Sequence, residues 1–137
     1  MRAKYALKAL ICMAQQGHSA LSSKQIADAE NIPHKFLTHI LQELRQNGIV
    51  DSKRGVFGGF VLSKHPSDIF LGDVIRVIDG PLAPIRCVSL TAYQKCEDCA
   101  DEAKCHLHHL MLDVRKAMTA ILDGRCLEDL ITCQVPA

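Results

Sequence analysis

The chain has 137 residues, 48% of them hydrophobic, which is enough for one compact unit with its own core and short for two. The net charge of +1 hides a division: residues 1–64 hold nine Lys and Arg against four Asp and Glu, whereas residues 65–137 hold seven against eleven. The basic first half suits a polyanionic partner, and the acidic second half does not.

In chain order, "MRAKYALKALICMAQQG" is the first element, and Lys8 interrupts it. Its longest uncharged apolar run, Ala9 to Ala14, is too short for a signal sequence or a membrane span, so the expectation is a cytoplasmic protein that does not engage a membrane. Thiols stay reduced in that compartment, and seven cysteines there favour metal binding or redox chemistry over disulfides. Tyr5, Ala6, Ala9, Leu10 and Met13 recur at helical spacing and predict an amphipathic helix ending near Gly17. Ser22 or Ser23 caps a short second helix that Asn31 and Ile32-Pro33 bring to an end.

The third helix runs through "PHKFLTHILQELRQNG", with Phe36, Leu37, Ile40, Leu41 and Leu44 as its buried stripe and Gly48 as its stop. His34, Lys35, Thr38, His39, Gln42 and Arg45 make a polar, cationic outer face. Two short strands follow, Ile49 to Lys53 and Phe60 to Ser63, around a glycine-rich turn that holds Arg54. Two helices at a tight turn and then a hairpin is the order of a winged helix-turn-helix, whose second helix enters the major groove of double-stranded DNA. A solvated amphipathic helix would look the same taken alone; the hairpin and the charge division favour DNA. Ser23 and Lys24 at the second helix, His34, Lys35, Thr38, His39 and Gln42 on the third, and Lys53 and Arg54 on the wing are the candidate DNA contacts, Arg54 being suited to a narrow minor groove.

Beyond the wing, Ser67 and Asp68 read as the cap of a short helix around Leu71 to Ile78, closed by Gly80-Pro81. The next stretch lacks periodicity, and a bound metal would give it a reason to be ordered. A long helix is expected from about Asp101 to Asp123, with Leu107, Leu110, Met111, Val114, Met118, Ile121 and Leu122 on one stripe. It is longer than so small a unit needs for its own core, which points to a homodimer and a palindromic operator; an intramolecular core helix is the other reading. The organisation is therefore a winged helix-turn-helix over 1–80, a Cys-rich loop over 81–105, and a dimerisation helix with a tail over 101–137. The fold class is mainly α with a small β-hairpin wing.

Cys87, Cys96, Cys99 and Cys105 form C-x8-C-x2-C-x5-C, with Cys105 expected in the first turn of the long helix and His108 one turn further along the same face. Soft thiolates with an imidazole suit an iron-sulfur cluster or zinc rather than magnesium or calcium, and this spacing alone does not choose between the two. Cys12, Cys126 and Cys133 read as buried or incidental thiols. His106 and His109 point elsewhere on the long helix; His18, His34 and His65 read as surface or turn residues. No nucleotide-binding glycine loop, Ser-His-Asp set or paired acids suggest an enzyme.

"MRAKYALKAL", "IPHKFLTHILQELRQNGIVDSKRGVFGGF", "LGDVIRVIDGP" and the Cys-rich loop leading into "LHHLMLDVRKAMTAIL" together resemble the IscR/NsrR family of bacterial transcription regulators, over residues 1 to about 131. The resemblance implies a homodimeric winged-helix protein that holds a 2Fe-2S or 4Fe-4S cluster and binds promoter DNA according to the state of that cluster. Family members sense cluster supply, nitric oxide, iron or redox state. Cys99 and Cys105 match two cluster cysteines at the family's own spacing, Cys87 sits where the first should be, and His108 matches the histidine ligand of some members. Eleven residues separate Cys87 from Cys99, more than in well-known members, and Cys96 lies between them. The fourth ligand is therefore Cys96 or His108, and Cys96 is an alternative even to Cys87. Lys35, Thr38 and His39 resemble the family's DNA contacts and Arg54 its wing arginine, but Thr38 and His39 replace the Glu-Gln pair of the best-known regulator.

Three alternatives stand beside this reading. One is the same fold with structural zinc. Another has no metal and acts through a protein partner. The third, a dithiol oxidoreductase using Cys96 and Cys99, lacks the βαβ context such sites need.

Overall fold

The computed structural model describes residues 2–17, 19–56 and 58–132. His18 and Cys133 lie outside the described residues. Six helices and one hairpin follow in the order α1 (Arg2–Gln15), α2 (Ser23–Glu30), α3 (His34–Gln46), β1 (Val50–Lys53), β2 (Gly59–Leu62), α4 (Leu71–Asp79), α5 (His106–Asp123) and α6 (Leu127–Thr132).

The expected helix signals act as read. Of the two candidate caps, Ser22 is the one used: its hydroxyl accepts from the Gln25 N–H at 3.1 Å while the Gln25 side chain accepts from the Ser22 N–H at 2.9 Å. Asn31, with φ +55°, ends α2 in the left-handed conformation. The stripes of α1, α2 and α3 meet in one core with Ala6, Leu10, Ile26, Leu37, Leu41, Leu44, Val50 and Val74 inside it. Arg2 ties three helices together from its place in α1, donating to the Ile78 carbonyl of α4 and pairing with Glu43 of α3.

The hairpin pairs Val50 with Leu62 through to Lys53 with Gly59. Gly59 is required where it stands. At φ +148° a Cβ there would lie 2.4 Å from the Leu21 carbonyl group, and this close approach lets Phe60 exchange both backbone hydrogen bonds with Leu21, at 3.1 and 2.7 Å. The wing is thereby fastened to the segment that enters α2.

Four expectations are corrected. Phe36 is not part of the buried stripe; it is 57% exposed, because the stripe of α3 is narrow and passes through Leu37, Ile40, Leu41 and Leu44. Ser67 and Asp68 do not cap α4. They sit in a 3-10 turn, Pro66–Asp68, capped by His65, and α4 begins three residues after that turn without a side-chain cap. The long helix begins at His106 rather than Asp101, since the Asp101 carboxylate caps a separate 3-10 turn, Glu102–Lys104, and Cys105 becomes the N-cap of α5. The tail is not merely a tail. Its residues 127–132 form α6, which returns to pack on α1 with Leu127 wholly buried.

Candidate nucleic-acid interface and metal centre

One face of the basic half gathers nearly all the predicted DNA contacts. Lys24, His34, Lys35, Thr38, His39, Gln42, Lys53 and Arg54 are exposed and Ser23 is half-buried. The Ser23 hydroxyl and His34 Nε2 lie 2.9 Å apart, which joins the start of α2 to the start of α3. The Thr38 hydroxyl donates to the His34 carbonyl at 3.0 Å and leaves its lone pairs free. The wing lies on the same side, because its second strand is bonded to Leu21 just ahead of α2, and Val56 and Gly58 border one hollow with Ser19, Ser22 and Gln25. The wing thus neighbours the start of α2, which is joined to α3, and the exposed side chains of these segments are basic and rich in donors. Phe36, which periodicity places in the buried stripe, is exposed on the same helix.

The predicted metal ligands collect around the start of α5. Cys87 is buried in a 3-10 turn, Arg86–Val88, that packs on α5. Its Sγ lies 3.1 Å from His108 Nδ1. Cys105 caps α5, accepting at Sγ from the His108 N–H at 3.4 Å. Cys96 is exposed, and Cys99 and Cys105 are half-buried. Burial pushes the Cys87 thiol up, and so does the proximity of Cys96, Glu102 and Cys105. Burial likewise raises Cys99, followed by Cys105, Cys96 and Glu102. Raised thiols are the opposite of the activated thiol of a dithiol oxidoreductase.

All five predicted ligands are thus brought into one neighbourhood, but they are not gathered tightly. Among the described residues, no three Cys, His, Asp or Glu side chains form a group that would hold a metal ion. The donor chemistry, thiols with an imidazole, fits a soft metal or an iron-sulfur cluster. The loop meanwhile braces itself. The Arg86 guanidinium donates to Gln94 Oε1 at 2.6 Å, Ser89 Oγ accepts from the N–H groups of Thr91 and Ala92, and the Tyr93 hydroxyl donates to Glu102. That last bond pushes Tyr93 up to about 12.

Cys12, Cys126, His106 and His109 lie apart from this group of donors. Cys12 is buried in α1 and raised by that burial. Cys126 is half-buried, and its N–H and Sγ both donate to the Asp129 carboxylate. His109 bonds the Ala103 carbonyl at 2.8 Å, away from the thiols, and His106 is exposed. Among the described residues the apolar stripe of α5 is only partly covered: Leu107, Leu110, Val114 and Ile121 are exposed, Met111, Met118 and Leu122 are half-buried, and no residue of the helix is fully buried. No described helix is long and apolar enough to cross a membrane.

Residues 1–133 match the Rrf2 family model, described as iron-dependent transcriptional regulator. An rrf2-like helix-turn-helix transcriptional regulator of Rhodobacter capsulatus is 41% identical over 98% of this chain and 92% of its own length. The solved structure of CymR, the global cysteine regulator of B. subtilis, superposes with a TM-score of 0.80 at 33% identity, covering 98% of this chain and 96% of that one. That of T. potens IscR superposes with a TM-score of 0.73 at 27% identity, covering 96% and 83%.

Proposed function

Because the chain belongs to the Rrf2 family of DNA-binding transcriptional regulators, which are not enzymes, we propose that it is a cytoplasmic homodimeric regulator whose promoter affinity is set by an iron-sulfur cluster. Its reading head docks α3 in the major groove, with Lys35, Thr38, His39 and Gln42 toward base edges and Ser23, Lys24 and His34 toward the backbone. Lys53 and Arg54 of the wing reach the adjoining minor groove. The exposed stripe of α5 pairs with its two-fold copy, which presents two reading heads to a palindromic operator.

The observation that carries the metal reading is the 3.1 Å approach of Cys87 to His108, which draws the loop's first cysteine onto the helix that its fourth, Cys105, caps. Cys87, Cys99 and Cys105 would hold the cluster, with His108 or Cys96 completing it. The bound cluster supplies iron that reacts with oxidants or nitric oxide, or that is lost when iron is scarce. The chain's own part is mechanical: the loop and the capped end of α5 fix how that helix sits against the reading head, and so set the distance between the two α3 helices. Operator half-sites lie about 34 Å apart, so a small change of angle penalises simultaneous docking. A coupling of about 1–3 kcal/mol changes affinity roughly 5- to 150-fold.

Anaerobic purification with a visible spectrum and iron, sulfide and zinc analysis tests this, followed by DNA affinity with and without the metal. Iron and sulfide in near-equal amounts, and an affinity difference that Cys99→Ala abolishes, are expected. Zinc alone in a colourless protein would make the loop a structural clasp. A second reading, a metal-free regulator acting through a protein partner, is favoured by the bonds with which the loop braces itself. It predicts DNA affinity unchanged when all four loop cysteines are replaced.

A further inference from the structure

The two ends of α5 are attached in different ways. Its first turn meets the cysteine segment, with Cys105 as cap and His108 against Cys87. Its last residue, Asp123, is gripped by the Arg76 guanidinium of α4 through two parallel bonds, Nη1 to Oδ1 at 2.8 Å and Nη2 to Oδ2 at 2.7 Å. The carboxylate lies flat over α4 where residue 72 is glycine, and a Cβ there would stand 1.9 Å from Asp123 Oδ1. The chain beyond is stitched to residues 69–71 by the bridge between Phe70 and Cys126, in which Leu71 donates to the Arg125 carbonyl at 3.0 Å and Leu127 donates to the Ile69 carbonyl at 2.8 Å.

A bidentate Arg–carboxylate pair fixes direction as well as distance, which a single-point contact does not. The bidentate pair and two backbone hydrogen bonds, all within residues 123–127, hold this end of α5 to the reading head. The other end, about 27 Å away at 1.5 Å per residue, is joined through the loop of thiols. We propose that Arg76 and Asp123 are positioning residues that set the angle between reading head and α5, and with it the spacing of the two α3 helices, so that the thiol loop works on the long arm of a lever pivoted here. Gly72 belongs to the same device as the seat of the Asp123 carboxylate. The inference rests on the DNA-binding, dimeric reading above.

The test uses the whole protein and two duplexes: the preferred two-half-site sequence selected by this protein from random DNA, and a single half-site cut from it. Arg76→Gln and Gly72→Ala should each weaken binding to the full site about tenfold while leaving the half-site within about twofold. Arg76→Lys, which keeps the charge and loses the fork, should fall between Arg76→Gln and wild type on the full site. Sedimentation should show every variant still dimeric. A merely structural role would lower both affinities together with the thermal midpoint, and that result overturns the inference, as does full-site binding equal to wild type in Arg76→Gln. If wild type selects no DNA at all, the DNA reading itself fails and the lever falls with it.

Discussion

α3 and α5 are both amphipathic, yet they meet opposite fates. α3 sits among α1, α2, α4 and β1, and its Leu37, Ile40, Leu41 and Leu44 are all at 1% exposure or less. α5, the longer helix, touches α4 and the cysteine segment and buries nothing fully, with Leu110 at 57% and Ile121 at 53% exposure. The period of an apolar stripe says that a face wants covering; it does not say whose surface will cover it. α3 spends its stripe on its own core and leaves its polar face to solvent, whereas α5 leaves its stripe exposed; on the proposed function the first face meets DNA and the second meets a copy of the chain.

The contrast should break most visibly inside α3. Leu41→Ala removes a wholly buried side chain and is expected to cost about 2–5 kcal/mol, read from urea unfolding of the dimer and of the separated chain alike. Leu110→Asp on α5 should instead leave the fold of each chain intact and shift sedimentation from dimer to monomer; a variant that stays dimeric would show that the stripe faces something else. Phe36→Ala sharpens the comparison from the outer face of α3. It should leave stability nearly unchanged and weaken DNA binding by about 1–3 kcal/mol, concentrated at thymine positions where the ring would meet a methyl group.

The smallest effect concerns acid. The Arg76 fork holds Asp123 below its ordinary 3.8, burial opposing and the guanidinium charge adding, with Asp73 as the second carboxylate on Arg76 at 3.4 Å. A carboxyl group depressed by folding stabilises the fold fully above its unfolded value and loses that contribution as pH falls through the folded one. Asp123 is 42% exposed, so the loss should be under about 1 kcal/mol, confined to pH below about 4. Carboxyl chemical shifts should place the Asp123 midpoint below 3.8 in wild type and return it there in Arg76→Gln.

Most of the fold was legible wherever local chemistry decides it. Ser22, Asn31 and Gly80 each end or begin a helix for reasons contained in a few neighbouring residues. What could not be read depends on distant partners. The six residues of α6 are too few to show a period, and they are helical because Leu127 fills a place beside α1 and Ile69. The start of α5 was misplaced because the Asp101 side chain favours a tighter turn, a choice between two hydrogen-bonding patterns that composition does not reveal. The hairpin and the exposed polar face of α3 could be read from turn residues and periodicity, and Phe36, expected in the buried stripe, was the exception. The spacing of the cysteines named the soft donors, but which donors meet depends on how the loop folds, and only the structure sets His108 against Cys87.

The return of α6 also bears on how the molecule is made. Among the described residues, Leu127 is the last fully buried one to be synthesised, about 50 residues after α4 is complete. At roughly 5–20 residues per second, a ribosome holds α1 with an open apolar notch for several seconds before its cover arrives. The notch closes only after the cysteine loop and α5 have already emerged. A chain broken off before that point therefore exposes surface that chaperones and proteases recognise, rather than circulating as a reading head without its lever.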